Sequence, residues 1–226
     1  MSSIHVIIIG AGTGGLCLAQ RLQGAGVGVS VYERDRTRTD GLFGYRVGIS
    51  PDGSRALKAC LPPNLFETFR ATVAITPRYT NFITERMAEL STAGGPEDAG
   101  LMAPADPENT EHSVSRMTVR QVLLSELDVV HFDKKFERYT QNPDGTVTAF
   151  FSDGTSATGD VLVGADGTSS RVRQQYLPHA KLVETGLFGV TGKLPLNDET
   201  RALLTPKMLR GVTMAFAPRE STRSST

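Results

Sequence analysis

Residues 4–15 read Ile-His-Val-Ile-Ile-Ile-Gly-Ala-Gly-Thr-Gly-Gly and decide the fold class. The β-branched run at 4–9 is nearly unbroken, which is typical of a strand buried on both faces of a parallel sheet. This run is too short for an integral membrane segment or for the core of a signal peptide. The glycine-rich residues 10–15 indicate a tight turn directly after the strand.

A helix and a second strand follow the glycine-rich loop. Apolar residues at positions 16, 18, 19 and 22 recur at helical spacing, and Gly24-Ala25-Gly26 ends the helix. The valine-rich residues 27–32 predict a second strand, which ends at Glu33. Strand, helix and strand form a complete β-α-β unit, and such crossovers are right-handed almost without exception.

The loop itself matches the pattern Gly-x-Gly-x-x-Gly. Gly10 permits the turn, Gly12 lets the backbone approach a pyrophosphate, and Gly15 lets helix and strand pack closely. The N-terminus of the helix also offers N–H groups and a positive dipole end to phosphates. We therefore predict that Gly10, Gly12, Thr13, Gly14 and Gly15 bind a dinucleotide cofactor. A merely flexible glycine loop is the alternative.

An acidic residue follows the second strand at the spacing expected for a dinucleotide site. Glu33 lies 18 residues beyond Gly15, and a carboxylate there can accept both hydroxyls of an adenosine ribose. The neighbouring Arg34 is a further candidate contact to the cofactor. It would suit a ribose 2′-phosphate, but Glu33 would repel that group. The pair favours FAD or NAD over NADP at this site.

Composition and charge exclude several classes of protein. The chain has 226 residues, of which 39% are hydrophobic and 21% charged, so it can bury a core. Its 24 Lys and Arg residues balance 24 Asp and Glu residues, and nucleic acid is not expected as a partner. Cys17 and Cys60 are too few for a disulfide framework, which predicts a reducing, cytoplasmic location. The four histidines lack metal-like spacing, so no metal is expected.

The rest of the chain predicts further strands with interspersed helices. Turn signals at 142–145 and 152–154 separate short strands and predict a β-meander. The other expected elements are a helix at 51–61, a strand at 79–90, a polar surface loop at 91–113, a helix from Ser115, strands at 160–165, 183–194 and 208–217, and a helix near 198–204.

The segment 160–173 predicts a buried strand that ends in Asp166-Gly167 and leads into a helix. An aspartate at such a strand end can bind a polyol hydroxyl, and Gly167 admits a close ligand. The alternative is an ordinary strand-turn-helix in which Asp166 caps the helix. The residues by themselves leave both interpretations open.

Two arginines lie in the helix that follows Ser115. If Ser115 caps this helix, Arg116 lies in its first turn, where a cation meets the positive end of the helix dipole. An anionic partner would resolve that conflict, and a dinucleotide pyrophosphate or a flavin ribityl chain is a candidate. Arg120 lies four residues later on the same face. A pair of solvated arginines is the alternative for both.

Together these motifs resemble the flavoprotein aromatic hydroxylases, the FAD-dependent monooxygenases with the 4-hydroxybenzoate hydroxylase fold. The matching motifs, in the family's order, are the loop at 10–15 with Glu33, the segment Gly44-Tyr45-Arg46-Val47-Gly48-Ile49, Arg116, and Gly-Ala-Asp-Gly-Thr-Ser-Ser-Arg-Val-Arg at 164–173. The resemblance covers about residues 4–180. It implies an α/β fold: an FAD-binding, Rossmann-like parallel sheet with a β-meander and an incomplete substrate-domain sheet.

The resemblance also implies roles for single residues. In the family the glycine motif binds the ADP half of FAD, and the acid after the second strand, here Glu33, binds its ribose. The two family arginines that contact FAD correspond to Arg46 and Arg116. The Asp-Gly pair, here Asp166-Gly167, takes part in both FAD and NAD(P)H binding.

The resemblance further implies a division into domains and an incomplete chain. Residues 1–180 would form the FAD-binding domain, with an inserted segment at about 62–113 on the substrate side, and 181–226 would begin a substrate domain. The family's later Gly-Asp-Ala-Ala-His type motif has no counterpart here, since the one Gly-Asp pair, Gly159-Asp160, belongs to an earlier strand. We therefore expect a C-terminally truncated chain that is poorly soluble or self-associating and binds FAD weakly.

The function implied by the resemblance is that of an enzyme, an FAD-dependent monooxygenase. It would use NAD(P)H as co-substrate and O2 to hydroxylate a small aromatic or polyketide-like compound in secondary metabolism. No catalytic acid or base is assigned, because the cofactor carries the hard chemistry. The alternative is a flavin- or nucleotide-binding remnant without redox turnover that acts as a partner or scaffold. A plain NAD-dependent dehydrogenase would not account for the Asp-Gly motif.

Overall fold

The computed structural model describes residues 4–40, 46–74, 79–94, 111–186 and 195–216. The chain divides into two compact units, one of Met1–Ala74 with Glu108–Phe188 and one of Ile75–Pro107 with Gly189–Thr226. The described helices and strands, in chain order, are β1 (His5–Ile9), α1 (Thr13–Gly24), β2 (Gly28–Tyr32), β3 (Arg46–Ile49), α2 (Pro51–Cys60), α3 (Pro63–Ala71), β4 (Tyr79–Thr84), β5 (Glu89–Gly94), β6 (His112–Ser115), α4 (Arg116–Leu124), β7 (Val130–His131), β8 (Phe136–Gln141), β9 (Val147–Phe151), β10 (Ser156–Gly159), β11 (Val161–Gly164), α5 (Arg171–Tyr176), α6 (Asp198–Ala202), α7 (Pro206–Arg210) and β12 (Gly211–Phe216).

The first unit is built on a four-stranded sheet with the order β11-β1-β2-β7. All three pairings in this sheet are parallel. β1 lies inside the sheet, where Ile9 pairs with Gly164 on one side and with Tyr32 on the other. The predicted α/β fold with a parallel sheet is confirmed.

The apolar run of β1 is buried on both faces of this sheet. Val6 and Ile8 belong to a large core cluster that includes residues of α1, α2, α3 and α4. Ile7 and Ile9 belong to a second cluster, in which they meet Phe136 of β8 and other residues of the meander and α5. Burial of one such side chain contributes roughly 1.5–3 kcal/mol, which explains why an unbroken run is stable here as a central strand.

The meander β8, β9 and β10 forms a separate antiparallel sheet in the first unit. The first turn is closed by the N–H of Asn142, which donates to the carbonyl of Thr146 over 2.9 Å. The second is closed by the N–H of Phe151, which donates to the carbonyl of Thr155 over 3.0 Å. Both turns occur where the sequence predicts them.

Sequence signals also place the N-terminal ends of α2 and α4 correctly. The hydroxyl of Ser50 accepts a hydrogen bond from the N–H of Gly53 over 3.2 Å, with proline in the first turn of α2. The hydroxyl of Ser115 accepts one from the N–H of Thr118 over 3.4 Å. Ser115 is therefore the N-cap of α4, and Arg116 is its first residue.

The helix α3 lies between the predicted helix at 51–61 and the predicted strand at 79–90, where no element was expected. Pro63 is the first residue of α3, a position where proline is tolerated because its missing N–H would have no helical partner. Leu65, Phe66 and Phe69 of α3 are buried in the core of the first unit. Within the segment 62–113, α3 and β6 therefore belong to the first unit.

The second unit contains a three-stranded sheet with the order β12-β4-β5. The prediction of a single strand at 79–90 is wrong, because β4 and β5 form an antiparallel hairpin there. In its turn, Met87 has a φ of +65°. The strand expected at 208–217 is preceded by α7 and is limited to β12, which pairs in parallel with β4.

Two other expectations fall partly outside the described residues. The loop expected at 91–113 is shortened at both ends, because β5 continues to Gly94 and β6 begins at His112. Residues 95–110 between them lie outside the described part. The strand expected at 183–194 is absent from its described portion, 183–186. Its remainder, 187–194, lies outside the described part.

Candidate functional site

A cavity of about 450 Å³ lies at the carboxyl ends of the parallel strands in the first unit. The loops that follow β1, β2 and β11 line it, together with the first turns of α4. In open α/β sheets ligands bind in the crevice outside the carboxyl ends of the strands. The cavity occupies this position because β1 lies between β2 and β11.

Gly10 and Gly15 bring the loop after β1 into close contact with neighbouring backbone. Gly10 has a φ of +105°, which side-chain-bearing residues rarely adopt, and a Cβ there would lie 2.5 Å from the carbonyl oxygen of Ala165. A Cβ on Gly15 would overlap the carbonyl oxygen of Gly10. Gly10 therefore lets the loop after β1 pack against the residue that follows β11, and Gly15 lets α1 pack against that loop.

Gly12 has a different environment, because a Cβ there would meet no atom within 4 Å. Its φ of −78° suits any residue, and it is the N-cap of α1. Among the described residues no side chain caps this helix, so first-turn N–H groups and the positive dipole end remain available to a ligand. Gly12 and Thr13 line the cavity, whereas Gly14, the second residue of α1, does not.

Glu33 holds two loops together at the end of β2. Its side-chain oxygen Oε2 accepts a hydrogen bond from the N–H of Ala11 over 2.6 Å, and Oε1 accepts one from the N–H of Asp35 over 3.0 Å. Glu33 is only 8% exposed and lines the cavity. A carboxylate has about four acceptor positions, so capacity for a ligand hydroxyl remains. The next residue, Arg34, is exposed and also lines the cavity.

Asp166 supports the N-terminal cap of α5 from the loop after β11, beside the N-cap residue Ser170, whose hydroxyl accepts a hydrogen bond from the N–H of Arg173 over 2.9 Å. Its oxygen Oδ2 accepts a hydrogen bond from the N–H of Arg171 over 2.7 Å, and Oδ1 accepts one from the hydroxyl of Ser170. Of the two interpretations that the sequence leaves open for Asp166, a helix-capping role and a ligand contact, the structure contains the hydrogen bonds of the first. Asp166 and Gly167 nevertheless line the cavity, so the Asp-Gly pair forms part of its wall.

The two arginines of α4 have different environments. Arg116 is exposed and lines the cavity at the N-terminus of α4. The side chain of Arg120 is only 11% exposed and forms an ion pair with Asp35, with 3.0 Å between Nη2 and Oδ2. The interpretation of a solvated pair is therefore wrong for Arg120.

Arg46 is not among the residues that line the cavity. It lies at the exposed start of β3, opposite Ser115 of β6, and its guanidinium donates to the carbonyl of Ser113 over 3.5 Å. Its neighbours in the predicted motif, Gly44 and Tyr45, lie outside the described residues. Contact between Arg46 and a cofactor stays a prediction.

Sequence reasoning missed the residues that line the cavity after β7. Lys134 and Lys135 both do so, and Lys134 Nζ donates to Asp153 Oδ2 over 2.5 Å and to Thr155 Oγ1 over 3.0 Å. The hydrogen bond from Lys134 holds the pKa of the Asp153 carboxyl well below its ordinary value. β7 has only two residues, too few for a period-2 pattern, so no strand signal marks these lysines.

The residues of the cavity fit a dinucleotide that carries a pyrophosphate and a ribose. Helix N–H groups and the cationic side chains of Arg116 and Lys135 suit the phosphates, while the carboxylate of Glu33 suits hydroxyl groups. The open space before Gly12 lets phosphate oxygens approach the backbone.

Neither a metal centre nor a membrane-spanning helix is found among the described residues. Within the described ranges, no cluster of three or more His, Cys, Asp or Glu side chains is placed to hold a metal ion. No helix in the described part of the chain is long and apolar enough to cross a membrane.

Known proteins similar to this chain are FAD-dependent monooxygenases. The dual O-methyltransferase/FAD-dependent monooxygenase elcB of Phaeosphaeria nodorum is 33% identical over 216 residues, which are 93% of this chain and 23% of that protein. A crystal structure described as an FAD-containing monooxygenase from Photorhabdus luminescens subsp. laumondii superposes with a TM-score of 0.74 at 31% identity. It covers 95% of this chain and 53% of the other.

The chain resembles proteins named FAD-dependent monooxygenases over most of its own length. The resemblance predicted from the motifs is thereby confirmed. A further relative, the 6-methylsalicylate 1-monooxygenase atA of Aspergillus terreus, is 29% identical over 206 residues, 86% of this chain and 45% of that protein. The chain thus spans less than half the length of these two relatives. No protein-family model matches it.

Proposed function

We propose that the first unit binds FAD in the cavity at the carboxyl ends of β1, β2 and β11. The observation that carries this proposal is the uncapped N-terminus of α1, where Gly12 leaves open space beside the buried Glu33. The names of the relatives support FAD over NAD as the dinucleotide.

The ADP half of the cofactor is assigned to the glycine loop and Glu33. The N–H groups at Gly12 and Thr13 would bind the pyrophosphate, and the Glu33 carboxylate would accept the ribose hydroxyls. Arg116 would contribute a cation beside the phosphates, which offsets its unfavourable place in the first turn of α4. Arg34 would lie at the adenosine side, since it follows Glu33 directly.

The reaction we propose is the NAD(P)H- and O2-dependent hydroxylation of a small organic substrate. The flavin, when bound, supplies the redox chemistry and the activation of oxygen. The residues of this chain bind and orient the flavin. Asp166 and Gly167 form one wall of the cavity at the end of β11, and the loop after β2 forms the opposite wall. Relatives whose names include a 6-methylsalicylate monooxygenase support an aromatic or polyketide-like substrate.

We also propose a reducing, cytoplasmic setting. Cys17 and Cys60 are both free thiols, which suits a compartment in which disulfides do not persist.

Equilibrium titration of the purified full chain with FAD and with ADP tests the site. We expect FAD to bind with quenching of its fluorescence and ADP to displace it. FAD binding that ADP does not displace, or that persists unchanged in Gly12→Val, would refute the assignment of the glycine loop. NAD(P)H oxidation by the FAD-loaded chain, measured with and without O2, tests turnover. FAD binding with no oxidation of NADH or NADPH would contradict the proposed reaction for this chain.

A further inference from the structure

Arg120 joins the two loops that form the dinucleotide cavity. Its guanidinium uses three nitrogens separately: Nε donates to the carbonyl of Ala11 over 3.3 Å, Nη2 to the Asp35 carboxylate over 3.0 Å, and Nη1 to the carbonyl of Asp40 over 2.9 Å. Ala11 belongs to the loop after β1, whereas Asp35 and Asp40 belong to the loop after β2. Arg120 itself comes from α4, 109 positions after Ala11 and 80 positions after Asp40.

The contacts of Arg120 close a ring with those of Glu33. Glu33 accepts hydrogen bonds from the N–H groups of Ala11 and Asp35, and Arg120 donates to the carbonyl of Ala11 and to the carboxylate of Asp35. Both backbone polar groups of Ala11 are therefore engaged, one by each side chain. Ala11 is 1% exposed and immediately precedes Gly12, the N-cap of α1. The ring thus determines where the N–H groups at the start of α1 point.

Burial makes this arrangement specific to arginine. The side chain of Arg120 is 11% exposed and that of Asp35 is 26% exposed, so the ion pair is poorly screened by solvent. The planar guanidinium can satisfy several acceptors in fixed directions, whereas a lysine ammonium is a compact charge that cannot reproduce this geometry.

We propose that Arg120 is a positioning residue for the cofactor: it fixes the glycine loop relative to the loop after β2, and so preorganises the N-terminus of α1 for the pyrophosphate. This inference rests on the proposed function. It is distinct from the role proposed for Arg116. Both arginines line the cavity, but Arg116 is exposed there, whereas Arg120 is largely buried and its guanidinium donates to Ala11, Asp35 and Asp40.

The inference is tested with Arg120→Ala and Arg120→Lys in the full chain, and with Arg70→Ala as a matched control. Arg70 forms an i,i+3 ion pair with Glu67 on α3 and does not line the cavity. For each variant, the ADP and FAD dissociation constants are measured by equilibrium titration on protein shown to be folded by circular dichroism. We expect both Arg120 variants to bind ADP and FAD roughly tenfold or more weakly, since hydrogen bonds to a charged group are lost. Arg70→Ala is expected to bind both like the wild type.

The lysine variant separates positioning from simple electrostatics and from a purely structural role. Normal ADP affinity in Arg120→Lys would show that charge alone suffices and would overturn the proposal. Normal ADP affinity in both folded variants, with only a lower melting temperature, would show a structural role and would equally overturn it.

Hydrogen exchange supplies a readout that needs no ligand. In the ligand-free protein, we expect the amides of residues 10–13 to exchange faster in Arg120→Ala than in the wild type, and not in Arg70→Ala. If the wild type bound neither ADP nor FAD, the proposed function would fail and Arg120 would have no cofactor to position. Faster exchange of the loop would then still show that Arg120 fixes it. Unchanged exchange would overturn the positioning role even if the wild type binds FAD.

Discussion

The N–H of Ala11 donates to Oε2 of Glu33 over 2.6 Å, so the acid at the end of β2 holds the loop that follows β1. The two strands are neighbours in the parallel sheet, and their carboxyl ends lie at the same edge. Glu33 therefore has two roles in the proposed site: its carboxylate shapes the glycine loop and also faces the cavity that the loop borders. Substitution of Glu33 is expected to act on both.

We predict that Glu33→Ala weakens ADP and FAD binding together, by roughly 1–3 kcal/mol, because both ligands present the same ribose to the lost carboxylate. The melting temperature should also fall, since the N–H groups of Ala11 and Asp35 lose their acceptor. Equilibrium titration and thermal unfolding measure the two effects. Glu137→Ala, at an exposed position on β8, is the control and should change neither. A loss of affinity confined to FAD would mean that Glu33 does not bind the adenosine.

We predict that Gly12→Val abolishes dinucleotide binding and leaves the chain folded. The new side chain would enter open space at the N-terminus of α1, where phosphate oxygens must approach the backbone. The backbone of residue 12 has a φ of −78°, which valine adopts without strain. Gly15→Val is the matched comparison. There the side chain overlaps the carbonyl oxygen of Gly10, so we expect a loss of stability of more than about 2 kcal/mol. Circular dichroism, thermal unfolding and FAD titration distinguish the two; a Gly12→Val protein with normal FAD affinity would contradict the prediction.

We predict that Asp166→Ala lowers the free energy of unfolding by about 0.5–2 kcal/mol, the usual cost of losing a helix cap. Its carboxylate accepts hydrogen bonds from Ser170 and from the N–H of Arg171 at the start of α5. Urea unfolding measures the change, and Asp128→Ala, at an exposed position, is the control. Unchanged stability with weakened FAD binding would show that Asp166 acts on the ligand and not as a cap.

We predict that Cys60 is alkylated much faster than Cys17 in the folded protein. Burial raises the pKa of the Cys17 thiol to about 12, and the neighbouring Cys60 contributes to the shift. Only the thiolate reacts, so Cys17 stays almost entirely unreactive at pH 8 and gains reactivity only as the pH approaches its raised pKa. Iodoacetamide labelling at pH 8, followed by peptide mass spectrometry, gives both rates. Equal rates in the folded protein would be inconsistent with the buried position of Cys17.

Much of the cavity's framework was predictable from local sequence. The β-branched run before Gly10, the glycine spacing to Gly15 and the acid at Glu33 together predict a β-α-β unit with a dinucleotide site, and the structure places all three at one cavity. Prediction failed where sequence signals were weak. β7 is too short for a strand pattern, so Lys134 and Lys135 were not expected at the cavity.

The helices and strands around the glycine loop, and their order, follow from local sequence, because strand patterns, helix caps and turns depend on residues within a few positions of one another. The contacts of the polar side chains depend instead on how the chain packs. The tertiary structure separated exposed Arg116 from buried Arg120, four residues apart on one helix, and showed Asp166 accepting a hydrogen bond from the first N–H of α5. Local sequence cannot specify these contacts, because the partners of Arg120 lie 80 to 109 positions away in the chain. Only the packing of α4 beside the ends of β1 and β2 brings them within hydrogen-bonding distance.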